Sequence, residues 1–256
     1  MKVVILAGGV GSRLGEETEV RPKPMVEIGG RPILWHIMRH YHHYGFSKFV
    51  IALGYMGDYI KRYFLEYHSI SHNMRVDVSS GELELLDEDR AEKWMVDLVE
   101  TGPRTETGGR VKRLAPWLSE GTFMLTFGDG VSNVNLTALL DFHRSHGKVA
   151  TVTAVHPPPR FGQMYLDGPE VAEFSEKPMD TGWINGGYFV FEPAFLDYID
   201  GDETHLSKEP MRRLVADGEL MAYRHEGFWQ CMDAMRDKVV LEELWDSGNP
   251  PWRIWE

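Results

Sequence analysis

The chain has 256 residues, 43% of them apolar and 12% aromatic, with a formal charge of −12 and a single cysteine, Cys231. That composition supports a substantial core and excludes a disordered chain, a non-specific nucleic-acid binder, an internal disulfide and a four-cysteine zinc site. A global negative charge still leaves room for a phosphate ligand, because Arg13, Arg21 and Lys23 form a local positive cluster.

The first element predicted is a buried strand over Val3–Ala7, which runs straight into Gly8, Gly9 and Gly11, with Arg13 and Lys23 behind. Glycines let backbone N–H groups approach an anion, and nearby cations make such a loop a phosphate grip; an ordinary strand-to-helix turn has the same letters. Helices are expected over Ile33–Tyr44 and Asp58–His68, flanking a strand at Phe49–Leu53. Met95–Thr101 and Phe123–Phe127 read as strands, followed by a helix over Leu136–His146 with Asn135 as N-cap and Gly147 beyond its end. Further strands are expected at Ala150–Val155, Tyr188–Phe191 and Leu220–Tyr223. The remaining helices are Lys208–Asp217, closed by Gly218, and Met235–Ser247. This alternation predicts an α/β fold, a mostly parallel sheet covered on both faces. It also sends Gly8–Gly11 and Gly128–Gly130 to one edge of the sheet, where open α/β sheets bind ligands. No linker, repeat, signal-peptide plan or apolar run of the roughly 20 residues of a membrane span is apparent. One domain over residues 1–256 in the cytoplasm is therefore expected, without nucleic-acid or membrane partners.

The glycine loop is not a Walker A loop, because Ser12-Arg13 stands where Lys-Ser/Thr is required. It is not a Rossmann fingerprint either, because Leu14 replaces the third glycine. Gly-Gly-x-Gly-x-Arg-Leu followed by Arg21-Pro22-Lys23-Pro24-Met25 resembles the signature of the sugar-nucleotide pyrophosphorylases. In such a reaction a sugar 1-phosphate oxygen attacks the α-phosphorus of a nucleoside triphosphate and pyrophosphate leaves. The nucleophile is already ionised, so the site must supply cations and metal-holding carboxylates rather than a side-chain nucleophile. On this reading Arg13 faces the leaving phosphates, and Lys23, framed by two prolines, faces the charge around the α-phosphorus. Asp129, at a strand end between glycines, suits Mg²⁺ or a simple turn. Asp233 suits Mg²⁺ or the N-cap of the last helix. Glu176, Lys177, Asn185 and Gly186 suit a sugar-phosphate pocket, or merely a turn and a strand entry. The polar stretch 101–110 suits base reading, or a loop with a helix starting near Gly109.

The likeness extends over nearly the whole chain and narrows to the glucose-1-phosphate cytidylyltransferases. It is carried by the stretches 25–38, 107–113, 127–131, 150–155, 183–187 and 227–230. It implies a nucleotide-diphospho-sugar transferase, Rossmann-like fold with a mixed sheet, and transfer of a cytidylyl group from CTP to glucose 1-phosphate. It implies Mg²⁺ held by Asp129 and Asp233, Lys23 and Arg13 as catalytic cations, and a homo-oligomer. Nucleotide binding would fall to Leu6, Gly8, Gly9, Gly11, Ser12, Arg13, Thr107, Gly108, Arg110 and Gly128, and sugar-phosphate binding to Glu176, Lys177, Asn185 and Gly186. Another pyrimidine nucleotide or sugar 1-phosphate, or a non-catalytic sugar-nucleotide-binding subunit, fits the same residues. His36, His40 and His43 share one helical face at a spacing that could bind zinc, but no acidic partner completes a zincin-like pattern. Trp245, Trp252 and Trp255 read as a tail packed on its own domain or at a subunit interface.

Overall fold

The computed structural model describes residues 1–9, 11, 14–86, 92–158, 163–175 and 182–255. Its centre is a seven-stranded sheet built from β1 (Val3–Leu6), β2 (Lys48–Leu53), β3 (Met95–Glu100), β4 (Phe123–Phe127), β6 (Ala150–Val155), β7 (Ile184–Phe191) and β8 (Leu220–His225), in the order β8-β6-β7-β4-β1-β2-β3. The pairs β1–β2, β1–β4, β2–β3 and β6–β8 are parallel, whereas β7 is antiparallel to both β6 and β4. The sheet is thus the mixed, mostly parallel one expected. Its central strands are apolar on both faces because both faces are covered: Val3 and Ile5 belong to one core cluster, Val4 and Leu6 to the other.

The main helices are α1 (Glu16–Val20), α2 (Ile33–His43), α3 (Gly57–Ile70), α4 (Thr107–Arg113), α5 (Leu136–His146), α6 (Glu209–Ala216) and α7 (Met235–Asp246). Asn135 caps α5 by accepting the Ala138 N–H at 2.9 Å, and Gly147 ends it at φ 64°, both as the sequence predicts. Helix α4 begins at Thr107, two residues before the expected start. The strand expected at Tyr188–Phe191 begins instead at Ile184. Its register against β6 shifts between Val152 and Ala154, so the stretch around Gly186-Gly187 bulges out of the ladder.

Two features of the chain's C-terminal part fix the site. A short strand β5 (Gly130–Ser132) pairs antiparallel with β9 (Trp229–Cys231), Cys231 opposite Gly130, and the ladder continues through Met232 N–H to Asp129 O at 2.8 Å. The tail after α7 packs back on α2: Trp252 and Trp255 are buried, and the Trp252 indole N–H donates to His36 Nδ1 at 3.4 Å. His36 Nε2 in turn donates to Ile28 O at 2.9 Å, and His40 Nε2 donates to Val134 O at 2.8 Å. Burial pushes both rings down to about 4, so they are neutral core histidines. His43 is exposed at the end of α2.

Candidate active site

Two cavities open at the carboxyl edge of the sheet. The first, about 520 Å³, is lined by the ends of β1 and β4, the loop 103–107 and Lys23. The second, about 410 Å³, lies on the side of β7 and β9. Thr107, Phe127 and Asp129 belong to both walls, so the cavities meet there.

Lys23 stands at that junction. Pro22 and Pro24 hold a short 3₁₀ turn over Lys23–Met25, with Pro24 and Met25 buried and Met25 N–H bonded to Pro22 O at 2.8 Å. The ammonium donates to Asp129 Oδ2 and to Asp233 Oδ1, each at 2.6 Å. Burial alone would lower the Lys23 pKa, but the two facing carboxylates outweigh it and hold it above the ordinary lysine value. Lys23 is 13% exposed, Asp129 30% and Asp233 38%, so the carboxylates still reach the cleft. Asp233 is not the helix cap: that position is Ala234, and the Asp237 carboxylate accepts the N–H groups of Asp233 and Ala234 at 3.0 and 2.9 Å. The cap is built from within the helix, which leaves the Asp233 side chain to face Lys23.

These two carboxylates suit Mg²⁺, which binds through one or two carboxylates and takes its remaining ligands from water and phosphates. Among the described residues there is no cluster of three or more His, Cys, Asp or Glu side chains able to hold a metal by themselves. Two carboxylates alone leave most of a Mg²⁺ coordination shell to water and phosphate oxygens.

The residues expected to bind nucleotide divide into wall and scaffold. Leu6, Gly8, Gly9, Gly11, Thr107 and Gly128 line the first cavity, together with Lys23 and Asp129. Arg110 also lines it, yet its side chain is tied inward. Its guanidinium donates to Leu53 O (3.0 Å), Thr101 Oγ1 (2.8 Å), Gly102 O (2.7 Å) and Gly8 O (3.0 Å), joining the ends of β1, β2 and β3. Burial lowers the Arg110 pKa, but a guanidinium remains charged. Gly8 and Gly54 are both glycine for a reason the phosphate reading did not contain: a Cβ at either would collide with the Arg110 guanidinium. Gly108 is absent from the cavity wall. Its N–H is bonded to Thr204 O at 2.8 Å, and a Cβ there would lie 2.6 Å from that oxygen. It is a packing glycine that seats the 202–206 segment on α4.

On the other side, Asn185 and Gly186 line the second cavity with Asp233. Asn185 Oδ1 accepts Gly187 N–H at 2.8 Å, and Gly186 O accepts the Trp229 indole N–H at 2.7 Å, which fixes the bulge of β7. Ser12, Arg13, Glu176 and Lys177 lie outside the described residues. Tyr188, His205, Trp229 and Cys231 also stand in this wall. Trp229 lies in the 227–230 stretch of the resemblance and Tyr188 in a predicted strand, but neither was assigned to the site, and no motif marked His205 or Cys231; their proximity depends on the β5–β9 pairing and on the seat that α4 gives to residues 204–206.

Comparison with known proteins identifies the family. The Nucleotidyl transferase family matches residues 2–233. The chain is 49% identical over 258 residues, and full length in both, to a glucose-1-phosphate cytidylyltransferase of Salmonella typhi. It is 41% identical over 256 residues, again full length in both, to a probable glucose-1-phosphate cytidylyltransferase of Bacillus subtilis (strain 168). The crystal structure of HddC from Yersinia pseudotuberculosis shares the fold, with a TM-score of 0.71 at 22% identity over 95% of this chain and 99% of that one.

Proposed function

The chain belongs to the nucleotidyl transferase family, and from that premise we propose that it transfers a cytidylyl group from CTP to α-D-glucose 1-phosphate, releasing pyrophosphate and CDP-glucose. One observation supports the reaction class most: two cavities joined at Lys23, Asp129 and Asp233. The full-length likeness to cytidylyltransferases supports the base and the sugar. CTP would lie in the first cavity and the sugar 1-phosphate in the second, with the α-phosphorus at the junction.

The nucleophile is a phosphate oxygen and needs no base, so the difficulty is bringing two anions together and stabilising the leaving group. Lys23 would neutralise charge around the α-phosphorus, and the backbone N–H groups near Gly9 would receive the phosphate tail together with Arg13. Asp129 and Asp233 would hold Mg²⁺, which when bound supplies charge neutralisation across the triphosphate. Glu176, Lys177, Asn185 and Gly186 would hold the sugar phosphate. We read the chain as one domain over 1–256, since the C-terminal Trp252 and Trp255 share a core with β1 and α2. A cytoplasmic homo-oligomer is the accompanying inference. Exposed apolar side chains on α3 and the hairpin after it, Leu65 and Val78 among them, support the assembly.

The test is pyrophosphate release with glucose 1-phosphate, Mg²⁺ and each of CTP, UTP, dTTP and ATP. CTP should give the highest kcat/KM. Turnover with another nucleotide above CTP would overturn the base assignment, and tight CTP binding without turnover would leave a binding subunit instead.

A further inference from the structure

The second cavity offers hydroxyl donors at Thr107, Thr126 and Tyr188, of which Thr126 donates to Phe127 O and Tyr188 to Gly130 O. Among the described residues of its wall, the side-chain N–H donors are those of Asn185, His205 and Trp229, and the Trp229 indole is engaged with Gly186 O. A sugar 1-phosphate offers hydroxyls and phosphate oxygens, the latter acceptors only, so the donors on the wall govern which ligand is held.

His205 is built in with care for its position. Residues on both sides of it are bonded to the first turn of α4: Thr204 O accepts Gly108 N–H at 2.8 Å, and Leu206 N–H donates to Thr107 Oγ1 at 2.9 Å. The absent side chain at Gly108 is what permits this approach. Thr107 itself belongs to both cavity walls, so His205 is held beside the junction where the reacting phosphate would lie. The ring is oriented as well, since Nδ1 accepts Ser207 N–H at 3.2 Å. An accepting Nδ1 carries no proton, which makes Nε2–H the donor of the neutral ring.

We infer that His205 determines specificity for the acceptor substrate, its Nε2–H donating to an oxygen of the sugar 1-phosphate. The inference rests on the cytidylyltransferase reading above and adds a residue to it. The experiment varies CTP and glucose 1-phosphate independently in wild type, His205→Ala and His205→Asn, with thermal melts of all three. His205→Ala should raise the sugar KM about tenfold, the scale of one lost hydrogen bond, with the CTP KM and the melting temperature unchanged. His205→Asn, which keeps an N–H, should recover most of the loss. The 2-, 3-, 4- and 6-deoxyglucose 1-phosphates then identify the oxygen. If it is a hydroxyl, one analogue is poor for wild type but no poorer for His205→Ala; if it is a phosphate oxygen, the variant loses equally on all four. An unmoved sugar KM, or both KM values rising together with a lower melting temperature, overturns the proposal. Calorimetry with CDP-glucose separates it from its premise: about tenfold weaker binding to the variant, with wild type silent in turnover, would remove the proposed activity and keep the contact.

Discussion

The two sides of the cleft are held in different ways. On the nucleotide side, the ends of three neighbouring parallel strands are drawn together by one buried guanidinium, and each contact is to a backbone carbonyl or to Thr101. On the sugar side, the wall is assembled from a bulged strand, an indole and a seated loop that come from distant parts of the chain. The first wall is a single charge-centred knot, so its pieces stand or fall together. The second is a set of separate contacts, each adjustable alone, which suits a surface that selects among similar sugars.

The largest effect is expected at the seam between the two sides. Lys23→Ala should reduce kcat by about a hundredfold or more, the scale of removing one electrostatic stabiliser, with the KM for glucose 1-phosphate altered much less; normal turnover in a folded variant would remove Lys23 from the chemistry. Next comes the knot. Arg110→Met strips buried acceptors of a charged donor, a loss on the order of 3 kcal/mol and a fall in melting temperature of roughly 10 °C. The CTP KM should rise and the sugar KM stay closer to wild type. If both substrates suffered alike, the contrast between the sides would fail.

An acid titration addresses the floor beneath the sugar side, where the His40 ring lies 5.9 Å from that of Tyr188, a residue of the second cavity wall. His36 and His40 sit at about 4 when folded against an ordinary value of 6.5. Between those values the unfolded chain binds protons that the native state refuses. Their contribution is therefore intact above about pH 6.5 and is lost as pH falls towards 4. The melting temperature should drop through that window, and His40→Gln should flatten the drop; a flat profile in wild type would show that these rings are not held neutral. The smallest effect belongs to Trp229→Phe, which removes the indole N–H to Gly186 O together with part of the ring. A rise of about threefold in the sugar KM, without change for CTP, is the expected scale of one partly exposed hydrogen bond.

The same contrast explains what was legible in the sequence. The core strands and helices were read to within a few residues because their apolar periods reflect burial on the sheet faces. The hairpins at Met74–Leu85 and Gln163–Ser175 were not, since they project from the core and carry exposed apolar residues such as Val78 and Phe174. Nucleotide-side residues were visible as glycine motifs, and the structure adds a packing constraint the motifs do not show, since a Cβ at Gly8 or Gly108 would meet Arg110 or Thr204. Asp233 had two readings in the sequence, and the Asp237 carboxylate at the start of α7, by taking the amides of Asp233 and Ala234, sets the cap reading aside. His205 carried no local signal, because what brings it to the cleft is the long-range seat that α4 gives to residues 204–206.

The central claim is that Asp129 and Asp233 act together with an incoming triphosphate. It is tested most directly by electron paramagnetic resonance of Mn²⁺ titrated into wild type, Asp129→Asn and Asp233→Asn, each with and without CTP. Wild type should bind Mn²⁺ much more tightly with CTP than without it, and each substitution should weaken that ternary binding by tenfold or more. Ternary binding of equal strength in all three proteins would contradict the account.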